Sequence, residues 1–307
     1  AVEKPHPNFL GVIGAASGEP RLLEDSDLII LAGARVDYRV GFLMPPKVRE
    51  DVRIIRIDRD TCELRQGIEP NLSFPASPAL VFDQLAREMR RLREPLHKKW
   101  LEETRECWRL FRARWIEKPS PVTKPMSGLH IVEAIRPLLT DDVVFLIDGG
   151  NIGQWVHMVL ADHYPSRWLT CGASAVVGWG IPGAMAAKLA YPDRPVLLLS
   201  GDGAFGFTVT ELESAVRQKL PFVAVVANDS AWGIVVSGQR SAFGEEGVIC
   251  SKVGAIRFDQ AAEALGANGL RVEDPSELTE AIRTGFSADR PTVIDVPTSV
   301  GGPADTE

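Results

Sequence analysis

The chain has 307 residues, 45% of them apolar and 24% charged, and a formal net charge of -7. That length exceeds an average domain and points to two, with ample apolar residues for real cores. The acidic balance without a Lys/Arg run argues against a nucleic-acid backbone partner, and no apolar run reaches the roughly 18 residues of a membrane span.

Four scattered cysteines (Cys62, Cys107, Cys171 and Cys250) form no CxxC pair, and no signal peptide is visible, so a cytoplasmic protein without a metal cluster is expected. The opening AVEKPHPNFLG reads as the middle of something: a fragment, a processed product or one subunit of a split enzyme. In the first block, LIILAG (28–33) and VRIIRID (52–58) are short β-rich apolar runs and predict buried parallel strands. Residues 78–91 predict a helix with Leu80, Phe82, Leu85 and Met89 near one face. Two strands and one helix make an incomplete doubly wound sheet. Basic residues from Arg87 to Lys99 are interleaved with Glu88, Glu94, Glu102 and Glu103, the pattern of a solvated helix face.

Between Pro95 and Pro119 the spacing of Trp100, Thr104, Trp108, Phe111 and Trp115 places them on one face of a helix, where the tryptophans read as packing anchors. Pro119, Pro121 and Pro125 end that helix. The second block then alternates. Helices are expected at 129–139, 181–190, 208–218, 258–265 and 276–284, and strands at 143–148, 195–200, 222–229 and 292–296. The fold class is α/β with two doubly wound, mostly parallel sheets. The expected division is a partial domain over 1–94, a helical linker over 95–125 and a second domain over 126–307.

Ligands of such sheets bind beyond the carboxyl ends of the strands, and three loops there are unusual. Gly201-Asp202-Gly203 follows a strand, and Asn228-Asp229 comes one helix and one strand later, after 24 intervening residues. A right-handed crossover sets these loops side by side. Two oxygen-bearing side chains with a backbone carbonyl suit magnesium shared with phosphates. Glycines flanking Asp202 let backbone approach an anion, and a following helix can aim N–H groups at it. Taken alone, GDG is also how a plain turn after a buried strand reads. Asp148-Gly149-Gly150-Asn151 and Gly172–Gly180 are the other two loops; each also reads as an ordinary connection, and Val177 as a core residue.

GDG, two dozen residues and an Asn-rich pair resemble the signature of thiamine-diphosphate enzymes. CGASAVVGWGIPGAMAAKLAYPDRPVLLLSGDGAF and RVEDPSELTEAIRTGFSADRPTVIDV are similar to the pyrophosphate domain of the acetolactate synthase, benzoylformate decarboxylase and oxalyl-CoA decarboxylase group. HPNFLGVIG, LAGARVDYRVG and VRIIRIDRD resemble the later part of that group's central domain.

The resemblance implies thiamine diphosphate and Mg2+ as cofactors. Asp202, Asp229 and the Ala231 carbonyl would be the metal ligands, with Asp229 standing where the family has asparagine. Asn151 would donate to the diphosphate, and DGGN is more like the EGAN segment of CoA-linked relatives. Ala175 would meet the aminopyrimidine through its backbone, and Val177 would wedge the cofactor. Gly201, Gly203, Ala204 and Trp232 would line the cofactor. The stretch from Ser230 to Gly247 looks like a mobile cover, in which Gly238 stands where acetolactate synthases usually carry tryptophan.

In the first domain, Asp58 ends a strand where an acid could meet a ribose, and Arg39 in DYR matches an arginine that borders flavin in acetolactate synthase. FAD, ADP or CoA is one reading of this pair, and simple surface charge is the other. His157 and His163 read as helix-surface residues ahead of acid–base groups. Glu211 and Glu213, two apart on a helix, face different ways.

The activating glutamate of the family belongs to a pyrimidine-binding domain, which is expected on a partner chain or another segment. The implied activity is a decarboxylase or carboligase (a lyase or transferase) acting on a small 2-oxo acid, aldehyde or acyl-CoA within a homo- or hetero-oligomer. A 2-hydroxyacyl-CoA lyase or oxalyl-CoA decarboxylase-like subunit is the alternative, and a non-catalytic cofactor-binding regulatory module is a third. No GxGxxG follows a strand in the way a dinucleotide-binding dehydrogenase requires.

Overall fold

A computed structural model describes residues 6, 8–10, 22–90, 97–116, 123–160, 163–172 and 174–302. The chain divides into two compact units, Ala1–Arg114 and Trp115–Glu307. Most of HPNFLGVIG, together with Pro119 and Pro121, lies outside the described residues, as does the side chain of Arg39.

The first unit carries a parallel sheet of three strands in the order β1 (Leu28–Ala32), β2 (Arg53–Asp58), β3 (Leu72–Pro75). β1 and β2 are the two parallel strands expected from their apolar runs, but β1 is not buried: Leu28 and Ile30 are each 40% exposed. β3, LSFP, is fully exposed and carries no such signal. Helix α1 (Pro78–Met89) starts with Pro at its first turn, a position where the missing N–H costs nothing. A small core of Ile29, Val36, Leu43, Val48 and Ile54 fills this unit. Asp58 accepts the backbone N–H of Asp60 at 2.9 Å, closing the turn after β2. Helix α2 (Lys98–Ile116) buries Thr104, Trp108 and Phe111 and stacks Trp108 on Phe111 at 5.9 Å, but Trp100 is exposed, so the expected stripe anchors through its middle.

The second unit is a six-stranded, all-parallel sheet. In chain order its elements are α3 (Gly128–Ile135), β4 (Val144–Ile147), α4 (Asn151–Leu160), β5 (Arg167–Thr170), α5 (Gly180–Ala190), β6 (Val196–Gly201) and α6 (Asp202–Gly206). They continue with α7 (Glu211–Arg217), β7 (Val223–Asn228), α8 (Gly233–Phe243), α9 (Phe258–Ala264), β8 (Asn268–Arg271), α10 (Pro275–Phe286) and β9 (Thr292–Pro297).

The strand order is β5-β4-β6-β7-β9-β8. Every residue of β4, β6 and β7 is buried, the mark of a sheet covered on both faces. Val144, Leu146, Leu198, Ala224 and Val226 pack toward α5, α7 and α9, with Phe205 and Phe258 edge-to-face at 5.4 Å. The edge strands β5 (RWLT) and β8 (NGLR) are short and polar, and only their pairing defines them.

This order places a topological switch between β4 and β6: the chain leaves β4 for β5 on one side and β6 for β7 on the other. The crevice at such a point, beyond the carboxyl ends of the strands, is where open α/β sheets bind ligands. No described helix is long and apolar enough to cross a membrane.

Candidate functional site: paired carboxylates at the switch point

The loops after β4 and β6 touch through glycine backbone. Gly201 donates its N–H to the Gly149 carbonyl at 2.7 Å. A Cβ on Gly150 would stand 2.8 Å from the Gly201 Cα, and Gly150 has φ +121°, so glycine is required twice over. Three carboxylates and one amide surround this contact.

Asp202 begins α6, is 5% exposed and accepts the Gly203 N–H at 2.8 Å. Burial pushes its carboxyl up from the ordinary carboxylate range, against the pull of the Gly203, Ser230 and Ala231 N–H groups. The helix expected over 208–218 is α7; α6 is a separate single turn, and α4 is the longer helix that starts at the site.

Asp229 follows β7, paired in register beside β6, and accepts the Ala231 N–H at 3.1 Å. Burial first, and the Asp202 charge second, push its carboxyl up to about 7. A cation between the two groups would relieve that repulsion. Among the described residues, no group of three or more His, Cys, Asp or Glu side chains converges on a metal position. Two carboxylates with a carbonyl and phosphate oxygens are nevertheless a donor set magnesium accepts.

Asn151, the first residue of α4, is 8% exposed; its side-chain N and O make no well-formed hydrogen bond, although the amide is near enough to Asp229 to draw that carboxyl down. A buried amide without partners costs about 1–3 kcal/mol. Its amide nitrogen and the Asp229 Oδ2 would each lie 2.3 Å from a Cβ on Gly233, so both side chains converge over that glycine. A poorly satisfied amide beside two crowded carboxylates fits a bound anion bridged by a cation.

Ser230 adopts the left-handed conformation, φ 52°. The chain then pairs with 251–253: Trp232 donates to the Ser251 carbonyl at 2.8 Å and Val253 to the Ser230 carbonyl at 2.9 Å. Ala231 is therefore the non-hydrogen-bonded partner of Lys252, and its own N–H and C=O face away from that segment. The Trp232 ring covers Gly203, where a Cβ would stand 2.8 Å from it, and lies 5.6 Å from Phe207.

In the third loop Ala175 is left-handed (φ 49°) and exposed. Val177 is 39% exposed, which overturns the core reading; its Cγ1 would be 2.5 Å from a Cβ on Gly149, so it sits over the first loop. Ala204 is buried and lies under the same glycine. The ten positions assigned to the thiamine-diphosphate site lie in the second unit, from the end of β6 (Gly201) to the loops after β4, β5, β6 and β7 and the first residues that follow them, whereas Asp58 and Arg39 lie in the first.

Asp148, to which the sequence assigns no role beyond the Asp148-Gly149-Gly150-Asn151 loop, joins two loops. It is 4% exposed; Oδ1 accepts from Gly149 at 2.7 Å and Gly178 at 3.1 Å, and Oδ2 from Gly180 at 2.9 Å. Burial raises its carboxyl, and those three N–H groups pull it back. The available signal was an acid ending a buried strand, where no solvent could stabilise it.

Residues 233–243, expected to be part of a mobile cover, form helix α8, and the pairing with 251–253 holds its start. His157 is half-buried rather than on an open helix face: its Nδ1 lies 2.7 Å from the Tyr164 hydroxyl, its ring is edge-on to Trp168, and burial lowers its pKa to about 4.

Two parallel α/β units, one with a glycine-backed acid pair at its switch point, form an architecture in which open α/β sheets bind ligands beyond the strand ends. Residues 148–296 match the thiamine pyrophosphate enzyme C-terminal TPP binding domain, and residues 1–85 match the thiamine pyrophosphate enzyme central domain. The chain belongs to the thiamine pyrophosphate enzymes.

It is 30% identical to the probable acetolactate synthase of Mycobacterium bovis, over 90% of this chain and 49% of that protein. It is 28% identical to the large subunit of acetolactate synthase isozyme 1 of Escherichia coli, over 95% and 51%. Human 2-hydroxyacyl-CoA lyase 2 is 30% identical, over 83% and 40%. The chain spans about half the length, or less, of these curated relatives.

Proposed function

We propose that the chain binds thiamine diphosphate through Mg2+ and takes part in making or breaking a carbon–carbon bond next to a carbonyl, as an acetolactate synthase-like decarboxylase or carboligase. The observation that carries this reading is the buried Asp202 and half-buried Asp229 crowded together beside the buried, poorly satisfied Asn151 amide. Asp202, Asp229 and the outward Ala231 carbonyl would hold the metal. Asn151 would donate to the diphosphate, and the close glycine contact between 150 and 201 lets backbone approach it. Ala175 and Val177, on the loop braced by Asp148, would orient the aminopyrimidine end.

When bound, the cofactor supplies a thiazolium carbon that adds to a carbonyl and takes up the electron pair of the broken bond. This chain's residues bind and orient; proton transfer that starts the cycle is assigned to a glutamate on a pyrimidine-binding chain or segment. The substrate class is a small 2-oxo acid or aldehyde, and the assembly is an oligomer that brings the two halves together.

Calorimetric titration of thiamine diphosphate tests this. Binding should require Mg2+ and be abolished by Asp202→Ala. A folded wild-type chain that binds none, even with a pyrimidine-domain partner added, overturns the reading.

A second reading, an acyl-CoA substrate, is favoured by Gly238. This exposed position on α8 has no atom within 4 Å of where a Cβ would stand, which leaves room for a bulky substrate. A thermal shift with CoA separates the two.

A further inference from the structure

Asp295 lies in β9 and is 0% exposed. A buried carboxylate is costly unless its oxygens are paired, and these are. Oδ2 accepts from Arg271 Nη1 at 2.8 Å, across the β8–β9 pairing. Oδ1 accepts from Asn228 Nδ2 at 2.8 Å, across the β9–β7 pairing. Arg271 holds a second acid, Glu273, at 2.8 Å, so its charge is matched without Asp295.

The contact with Asn228 has the larger consequence. Its Nδ2 also donates to the Ile256 carbonyl at 2.8 Å. Both neighbours of that nitrogen accept only, so the amide has one workable orientation. Oδ1 must then face the turn, where it accepts from the Ser230 N–H at 3.3 Å and the Ser230 hydroxyl at 3.4 Å. Rotating the amide would set an NH2 group against the Ser230 N–H. Ser230 is the left-handed residue between Asp229 and Ala231, and such a conformation in a residue other than glycine persists only when its surroundings enforce it.

We infer that Asp295 is a positioning residue for the metal loop: by fixing the orientation of the Asn228 amide it holds the Ser230 turn, which directs the Asp229 carboxylate and the Ala231 carbonyl toward Asp202. The metal part of this inference rests on the function proposed above, whereas the turn part stands on the geometry alone.

The chemistry offers a rescue. In Asp295→Asn a single carbonyl oxygen faces two donors, Arg271 and Asn228, so one contact becomes donor against donor. Removing Arg271 as well frees that oxygen for Asn228. In Asp295→Leu the Ile256 carbonyl is the one acceptor left to Asn228 Nδ2 of the two described, and removing Arg271 cannot restore the other.

The test compares wild type, Asp295→Asn, Asp295→Asn/Arg271→Leu, Asp295→Leu and Asp295→Leu/Arg271→Leu as full chains. Amide hydrogen exchange is read at 229–232 against 196–201 in β6, and Mn2+ titration with thiamine diphosphate is followed by electron paramagnetic resonance. Asp295→Asn and both leucine variants should exchange faster at 229–232 while β6 stays protected. Mn2+ affinity should fall roughly 10–100-fold, the usual effect of losing a group that orients a ligand. Asp295→Asn/Arg271→Leu should recover both readouts.

Unchanged exchange at 229–232, a uniform loss of protection, or failure of the double variant to recover overturns the proposal. A wild-type chain that takes up no Mn2+ overturns the metal reading of the site; the exchange data then separately uphold or overturn the role of Asp295 in the turn.

Discussion

The two units use the same local grammar and reach different degrees of burial. In the second, β4, β6 and β7 are buried from end to end and helices pack on both faces. In the first, β3 is exposed throughout and α1 buries no residue, leaving Leu80, Phe82, Leu85 and Met89 at 40–63% exposure. The amphipathic pattern of α1 is as clear as that of any helix in the second unit, so pattern alone does not secure packing. The difference teaches where a precise site can be built. Loops carrying two crowded carboxylates and left-handed residues need a scaffold that over-determines them, and the candidate site sits on the buried sheet.

The sharpest way to break this comparison is a matched pair of truncations. Leu198→Ala, at a fully buried position of β6, should cost about 2–5 kcal/mol in chemical denaturation. An equal loss from Leu80→Ala in α1 would show that the first unit is packed as tightly as the second.

Acid gives the next effect. His157 is held neutral by burial, with its pKa lowered from 6.5 to about 4. The unfolded chain therefore binds a proton that the folded chain refuses between those values. Its contribution is fully present above pH 6.5 and is lost as pH falls toward 4, up to about 3 kcal/mol. Asp229, pushed up to about 7, acts in the opposite direction over this range, so the His157 effect is read by difference: the gap between the urea midpoints at pH 7 and pH 5 should shift in His157→Gln toward greater relative stability at pH 5. A gap that the substitution leaves unchanged would place the acid sensitivity elsewhere.

Gly150→Ala comes third. The added Cβ meets the Gly201 backbone in a left-handed conformation, at a cost of about 1–3 kcal/mol, and thiamine diphosphate binding should weaken with it. Retained affinity would mean that the β4 and β6 loops separate without consequence. Smallest of all, Leu80→Ala, at 63% exposure, should shift stability by no more than about 0.5 kcal/mol.

Much of the site was legible in the sequence because its signals are local. Gly201-Asp202-Gly203 and Asn228-Asp229 each end an apolar run, and one crossover of ordinary length must bring such loops together. The missed parts have non-local causes. Asp148 became visible as a brace only when Gly178 and Gly180, about thirty residues on, presented their N–H groups. Helix α8 is built from Gly233, Ser237, Gly238 and Ser241, poor helix formers; it starts where Ser251 and Val253 pin the chain.

By itself, the sequence determined the alternation of buried strands and helices, the parallel sheets and the glycine-flanked acids at strand ends, because hydrophobic period and turn chemistry act within a few residues. Only the tertiary structure decided that β5 and β8 are strands, that the switch point falls between β4 and β6, and that Asp295 reaches Asn228 from 67 positions away. Those outcomes depend on which strands pair, and pairing is settled by the burial of the whole sheet.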